Sequence, residues 1–175
     1  MLFTSYVVSE TKLMQAPGTQ LSNICLKFIE YGSDEYYQAA QLRYRLFYQN
    51  HDIRFESLFK QQERRDLHIA LTNTQEHCVL AYGRLAQNHP KEFQIYQMVV
   101  KPELQGQGLG GSILRALTGA AAQQGAELVV LNARVMQAGF YQKFGFESVG
   151  EVFASSMTGV PHIKMQKKLI YSPNE

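Results

Sequence analysis

No run of this sequence stays apolar for the roughly 20 residues that a helical membrane span needs, so a membrane-embedded helical protein is excluded at the outset. Cysteine is scarce. Cys25 and Cys78 stand alone, neither with a His or Cys at metal-ligand spacing, so no metal site is expected and each reads as a buried free thiol. The start, Met1 to Gly18, mixes Ser, Glu, Lys, Thr and Gln without the apolar stretch of a secretory signal, and the expected location is the cytoplasm. Charge of one sign is also lacking: 17 basic residues meet 15 acidic ones for a net +2, scattered without long blocks. A nucleic-acid-binding field is therefore not expected, and the cluster Lys164, Lys167 and Lys168 reads as a solvated strand end. No internal repeat or low-complexity tract is present.

What remains is a chain of 175 residues, 45% of them apolar, enough for one domain to bury its own core. Residues 1–20 carry Pro17-Gly18 and little periodicity and read as an irregular extension, which leaves residues 21–175 as the domain. Asn23 to Glu30 alternates as a first strand. Ser33 or Asp34 can cap a helix carrying Tyr36, Ala39, Ala40, Leu42, Arg43, Leu46 and Phe47. A second amphipathic piece is expected over Phe55 to Arg64, with Phe55, Leu58 and Phe59 inward. Leu67 to Leu71, Cys78 to Leu85 and Phe93 to Val100 read as an antiparallel meander, because their connections are too short for crossovers. A helix from Gly108 to Gln124, a strand from Glu127 to Asn132, a helix from Met136 to Phe144 and closing strands at Glu147 to Ala154 and His162 to Leu169 follow. That order predicts an α+β fold, a mixed, mostly antiparallel twisted sheet flanked by helices, with one βαβ crossover.

The richest stretch is Gln105-Gly106-Gln107-Gly108-Leu109-Gly110-Gly111, placed between the strand ending at Val100 and an apolar-periodic helix. Closely spaced glycines let backbone N–H groups approach a ligand, and the helix start adds unpaired amides and a positive dipole end. This is an anion site suited to a pyrophosphate. A Walker loop is excluded, because Gly110 is followed by Gly111-Ser112 with no lysine. Gly106, Gly108 and Gly111 do satisfy G-x-G-x-x-G. However, Glu127 begins the next apolar run instead of ending a strand, and too little chain follows for the remaining βαβ units of a doubly wound sheet.

A third kind of loop fits better. Gln105, Gly108 and Gly110 meet the pattern of the acyl-coenzyme A loop of the GNAT acetyltransferases, and the chain resembles that family here. A second match follows at Ala138-Gly139-Phe140-Tyr141-Gln142-Lys143-Phe144-Gly145-Phe146, similar to the family's segment carrying a tyrosine and a Gly-Phe turn into the next strand. The resemblance covers roughly Ile24 to Leu169 and makes residues 21–175 a single acyl-CoA N-acyltransferase domain. Gln41 to Phe47, Arg65-Asp66-Leu67-His68 and Gly159 to Met165 further resemble the ElaA-type branch.

The resemblance implies acetyl-CoA as co-substrate, with no metal. Gly106, Gln107, Leu109 and Gly111 would join Gln105, Gly108 and Gly110 around the diphosphate. Met98, Val99 and Val100, splayed from a neighbouring strand, would pair with the pantetheine arm as an added strand does, and an N–H near Met98 or Val99 would hold the developing oxyanion. Tyr141 is implied as general acid toward the leaving thiolate. Arg134 stands where many relatives have asparagine; an arginine there can contact a coenzyme phosphate or an acidic substrate group, or simply face solvent.

The base is less legible. An alkylamine is neutral only about once in 2,500 molecules at pH 7, so its deprotonation must be arranged. Many relatives carry a glutamate on the strand before the loop; this chain reads Gln94-Ile95-Tyr96-Gln97, and glutamine accepts no proton there. His162, Glu151 and, more distantly, Glu92 are the candidates. The expected acceptor is a small-molecule or peptide amine, with specificity supplied by Tyr36 to Phe59 and the loop Ser155 to Pro161; Tyr36, Tyr37, Tyr44, Tyr48 and Phe55 either line its cleft or form core. Neither cysteine lies in the two motifs, which favours direct transfer in a ternary complex. Two alternatives stay open: a longer-chain acyltransferase of the autoinducer-synthase type, or a non-catalytic acyl-CoA-binding module. Oligomeric state is open too, a homodimer included.

Overall fold

A computed structural model describes residues 23–169; the expected extension over residues 1–20 lies outside the described residues, as do 21–22 and 170–175. Its elements run β1 (Ile24–Ile29), α1 (Asp34–Phe47), β2 (Leu67–Asn73), β3 (Cys78–His89), β4 (Glu92–Val100), α2 (Leu109–Gln123), β5 (Leu128–Arg134), α3 (Ala138–Gln142), β6 (Glu147–Ala154) and β7 (Pro161–Lys168). The seven strands form one sheet in the order β1-β2-β3-β4-β5-β7-β6. Every pairing is antiparallel except β4 with β5, the crossover pair joined through α2. This is the expected mixed α+β architecture. No helix among the described residues is long and apolar enough to cross a membrane.

The sheet is sandwiched. Ile69, Leu71, Ala81, Leu85, Phe93 and Ile95 pack against Ile113, Leu114 and Leu117 of α2, while Ala70, Tyr82 and Val99 meet Tyr36 and Ala39 of α1 on the other face. Helix α1 starts where the sequence places it: the Ser33 hydroxyl accepts from the Tyr36 N–H at 3.2 Å. Helix α2 ends at Gly125, whose φ of +80° reverses the chain.

Two expected helices are shorter than the sequence suggests. In place of one amphipathic piece over Phe55 to Arg64 there are two 3₁₀ turns, Phe55–Leu58 and Gln61–Arg65. Leu58 is buried and Phe55 and Phe59 are half-buried as expected, but Gln61-Gln62-Glu63-Arg64-Arg65 offers no apolar residue to carry a helical face onward. Likewise Met136 to Phe144 resolves into a 3₁₀ turn, Val135–Gln137, followed by α3, with Met136 left 82% exposed.

One glycine fixes how closely α2 lies on the sheet. A Cβ on Gly83 of β3 would stand 2.7 Å from Leu117 Cδ1 and 2.8 Å from Ile113 Cγ2. Gly83→Val is therefore expected to overpack this contact and lower stability by about 1–3 kcal/mol, read by denaturant unfolding; an unchanged midpoint would show that α2 is free to shift.

Candidate active site

The crossover pair opens like a fork. β4 and β5 pair only from Glu92 with Leu128 to Ile95 with Leu131, although β4 runs on to Val100 and β5 to Arg134. The cause lies in β4. Tyr96 faces Arg84 and Val99 faces Tyr82 across β3, so Gln97 and Met98 together oppose the single residue Gly83. This β-bulge holds Gln97 at φ +52°, a left-handed conformation that costs a non-glycine residue on the order of 1–2 kcal/mol. It bends β4 away from β5 and leaves its β5-facing edge unpaired beyond Ile95.

Two cavities meet at the open end of the fork. One, of about 580 Å³, is lined by Met98, Val99, Val100, the glycine loop, Tyr141 and Lys143. Gly106 and Gly108 adopt φ of +78° and +86°, which turns the loop back so that α2 begins at Leu109 with no capping side chain and no acidic residue in its first turn. The first intrahelical bond runs from Ser112 N–H to Gly108 O, so the amides of Leu109, Gly110 and Gly111 have no acceptor within the helix. A Cβ on Gly111 would stand 2.7 Å from the Phe144 ring. The residues fit a coenzyme diphosphate: free amides, Lys143 on the wall, Arg134 shared with the second cavity, and no Asp or Glu among the described lining residues. Gln105 lies at the edge, its amide donating to Val100 O at 3.2 Å, so that carbonyl already has a partner. Gln107 is exposed, with its amide on Glu103 O, and does not line the cavity.

The other cavity, of about 410 Å³, lies between the C-terminal end of α1, β4, β5 and the loop before β7. Phe47, Met98, Arg134, Gln137 and Tyr141 line both, and so mark the junction. Tyr141 is held there by Phe140 and Phe146, ring centroids 5.0 and 6.1 Å away, and burial pushes its phenol up to about 12. Its hydroxyl stays protonated across the working pH range. His162 lines the second cavity; its Nδ1 lies 2.8 Å from the Val160 carbonyl, which can only accept, so the neutral ring carries its proton on Nδ1 and leaves Nε2 as an acceptor. Arg134 donates to Leu46 O at 3.2 Å and lies 4.8 Å over the Phe47 ring.

Two expected base candidates are not brought here. Glu151 is exposed on β6, where the pairing with β7 breaks between Val149 and Phe153, and it lines neither cavity. Glu92 opens β4 at the closed end of the fork and accepts from Asn88. Of the aromatics expected to form either cleft or core, only Tyr48 lines the second cavity; Tyr36 is fully buried, Tyr44 and Phe55 pack on each other, and Tyr37 is exposed beside Phe59 and forms neither. Ser155 to Thr158 do reach it. Lys60, Arg84, Tyr96 and Gln137 also line it, and no motif in the sequence singles them out. Arg84 had a signal: a lone charge inside the apolar run Val79 to Leu85 needs a buried partner.

The sequence pattern of the acetyltransferase (GNAT) domain matches residues 33–169. The chain belongs to the GNAT acetyltransferase family. Membership makes it an acyl-transferring enzyme. It is 27% identical over 130 residues to the uncharacterised N-acetyltransferase YjcF of Bacillus subtilis, covering 74% of this chain and 89% of that one. Solved structures that share its fold include two GNAT-type proteins. Escherichia coli ElaA is 21% identical with a TM-score of 0.68, over 83% of this chain and 99% of ElaA. A GNAT family acetyltransferase from Elizabethkingia anophelis with acetyl-CoA bound is 17% identical with a TM-score of 0.65, over 85% of this chain and 99% of that one.

In this GNAT protein the bulge is braced from behind by buried polar groups. Arg43 donates to Gln97 Oε1 at 2.5 Å and to Glu63 Oε2 at 3.1 Å, and Gln97 donates to the Tyr48 hydroxyl at 2.7 Å. Glu63 also accepts from the Tyr36 hydroxyl at 2.7 Å, while Arg84 bonds Asp66 and stands 3.6 Å from Glu63. His68 bridges the Glu63 carbonyl and the Tyr82 hydroxyl. Burial pushes its imidazole below the ordinary value. With the folded value depressed, the unfolded chain takes the proton first as pH falls. Stability is then fully present above about pH 6.5 and declines below it, by up to about 1.4 kcal/mol per pH unit. Unfolding at about pH 7.5 and about pH 5.5 is expected to show that loss, and His68→Gln to flatten it; equal loss in the variant would assign the slope to another group.

Proposed function

We propose that this enzyme transfers an acetyl group from acetyl-CoA to a primary amine on a small molecule or peptide, by direct attack within a ternary complex. The observation that carries this reading is the open fork: an unpaired strand edge that joins a diphosphate-sized anion cavity to a second cavity, with Tyr141 at the junction. The amides of Leu109, Gly110 and Gly111 would hold the diphosphate, and the free edge of β4 would align the pantetheine amides. An N–H at Met98 or Val99 would take the negative charge that develops on the acetyl oxygen, an interaction of about 3 kcal/mol.

His162 Nε2 would accept the amine proton, directly or through a water. The amine lone pair then forms the C–N bond, the C–S bond breaks and the sulfur leaves with that bond's electron pair, taking a proton or a hydrogen bond from Tyr141, while the nitrogen gives up its surplus proton to solvent, from which Tyr141 is reprotonated. Cys25 and Cys78 line neither cavity, which supports direct transfer over a covalent enzyme intermediate. Calorimetry with acetyl-CoA, followed by thiol release on adding amines, tests the reading. Saturable binding and amine-dependent release are expected; no heat with acetyl-CoA would overturn it.

A further inference from the structure

The second cavity has an unusual charge balance. Lys60, Arg84, Arg134 and His162 line it, and no Asp or Glu does so among the described residues. Of the acids whose charge reaches the lining of this cavity, Glu63 and Asp66 are already taken by Arg43, Arg84 and Tyr36, and Glu92 stands outside it at the closed end of the fork beside Asn88. Arg84 is thereby neutralised. Lys60 and Arg134 are not: neither has a carboxylate within ion-pair distance among the described residues, and Arg134 meets only a carbonyl and an aromatic face.

Two uncompensated cations beside aromatic walls repel a polycation and attract an anion. We propose that the acceptor is an amine that also carries an anionic group, as a free amino acid carries its carboxylate, and that Lys60 and Arg134 hold that group. The assignment rests on the acetyl-transfer reading and narrows its substrate class. It excludes polyamines and aminoglycosides, whose several ammonium groups would face like charge on entering. Lys60 lines the second cavity alone and not the diphosphate cavity, so its effect falls on the acceptor. It is also exposed and outside every regular helix and strand, so substituting it leaves the core untouched.

The test uses the full chain, saturating acetyl-CoA and thiol release with matched amines: amino acids, their carboxamides, phosphoethanolamine, spermidine and an aminoglycoside. The expected kcat/KM for an anionic amine exceeds that of its neutral partner by about tenfold or more, and the ratio shrinks with added salt. Carboxylates and phosphoethanolamine compared with each other tell which anion the cavity takes. Lys60→Glu, with Lys60→Met as a second variant, is expected to raise the KM for the anionic amine by about tenfold and leave the KM for acetyl-CoA unchanged. Equal turnover of carboxamides, preference for spermidine, an unchanged ratio in both Lys60 variants, or a fully inert panel with acetyl-CoA still bound would each overturn the assignment. Failure of acetyl-CoA itself to bind would instead bring down the acetyl-transfer reading beneath it.

Discussion

Tyr141→Phe is expected to lower kcat by about 10²–10⁴-fold while acetyl-CoA affinity changes by less than about twofold. The substitution is clean because the ring stays. Phe140 and Phe146 pack against the aromatic face, at 5.0 and 6.1 Å between centroids, and the hydroxyl has no hydrogen-bond partner among the described residues, so only the proton donor is lost. A phenol pushed up to about 12 by burial is protonated through the whole useful range. The kcat profile against pH should therefore rise with deprotonation of the base and show no falling limb from Tyr141 below that value. A falling limb near pH 9 would assign the acid to another group. If kcat in the variant stayed within about threefold of the parent, Tyr141 would be a packing residue and the leaving thiolate would take its proton from solvent.

The glycine loop was legible because its chemistry is local. Left-handed φ at Gly106 and Gly108 is written in the residue type, and the strand before and helix after it are periodic. The fork was not legible, since a bulge is a relation between two strands. Its trace is still there: Phe93 and Ile95 alternate toward α2, then Met98 and Val100 resume the same face one residue out of phase, and Gln97 is the surplus residue. The buried network left a trace as well. Arg43 falls on the buried stripe of α1 with Tyr36, Ala39 and Ala40, where a guanidinium persists only with a partner. That partner, Glu63, could not be found from sequence, because it sits in an all-polar 3₁₀ turn whose burial depends on α1 and β2 closing over it. The base candidates divide by strand position: His162 faces Arg134 across β5 and β7 at the open end, whereas Glu151 falls where β6 leaves its register.

Arg43→Met should cost about 3–5 kcal/mol of stability, which for a chain of this size lowers Tm by roughly 2–4 °C per kcal/mol. The expected thermal shift is thus on the order of 10 °C. The arginine and glutamate side chains are 0% and 3% exposed, so removing the cation strands a carboxylate that keeps only the Tyr36 hydroxyl and Arg84 at 3.6 Å. It also strips Gln97 Oε1 of its donor, and the bulge loses the contact that offsets its left-handed strain. Activity should fall further than unfolding accounts for, through a fork that no longer opens to one fixed width. Yet the pair itself is not a strong source of stability: Arg43 Nε and Nη2 are buried without hydrogen-bond partners even in the folded protein. Arg43→Met combined with Glu63→Gln, which keeps an acceptor for Tyr36 and removes the stranded charge, should therefore recover at least half of the lost Tm. Activity should stay low in the double variant, because Gln97 keeps only the Tyr48 hydroxyl and its Oε1 is still without a donor. Recovery of both together would mean that the network serves folding alone; recovery of Tm without activity would locate its role in holding β4 open.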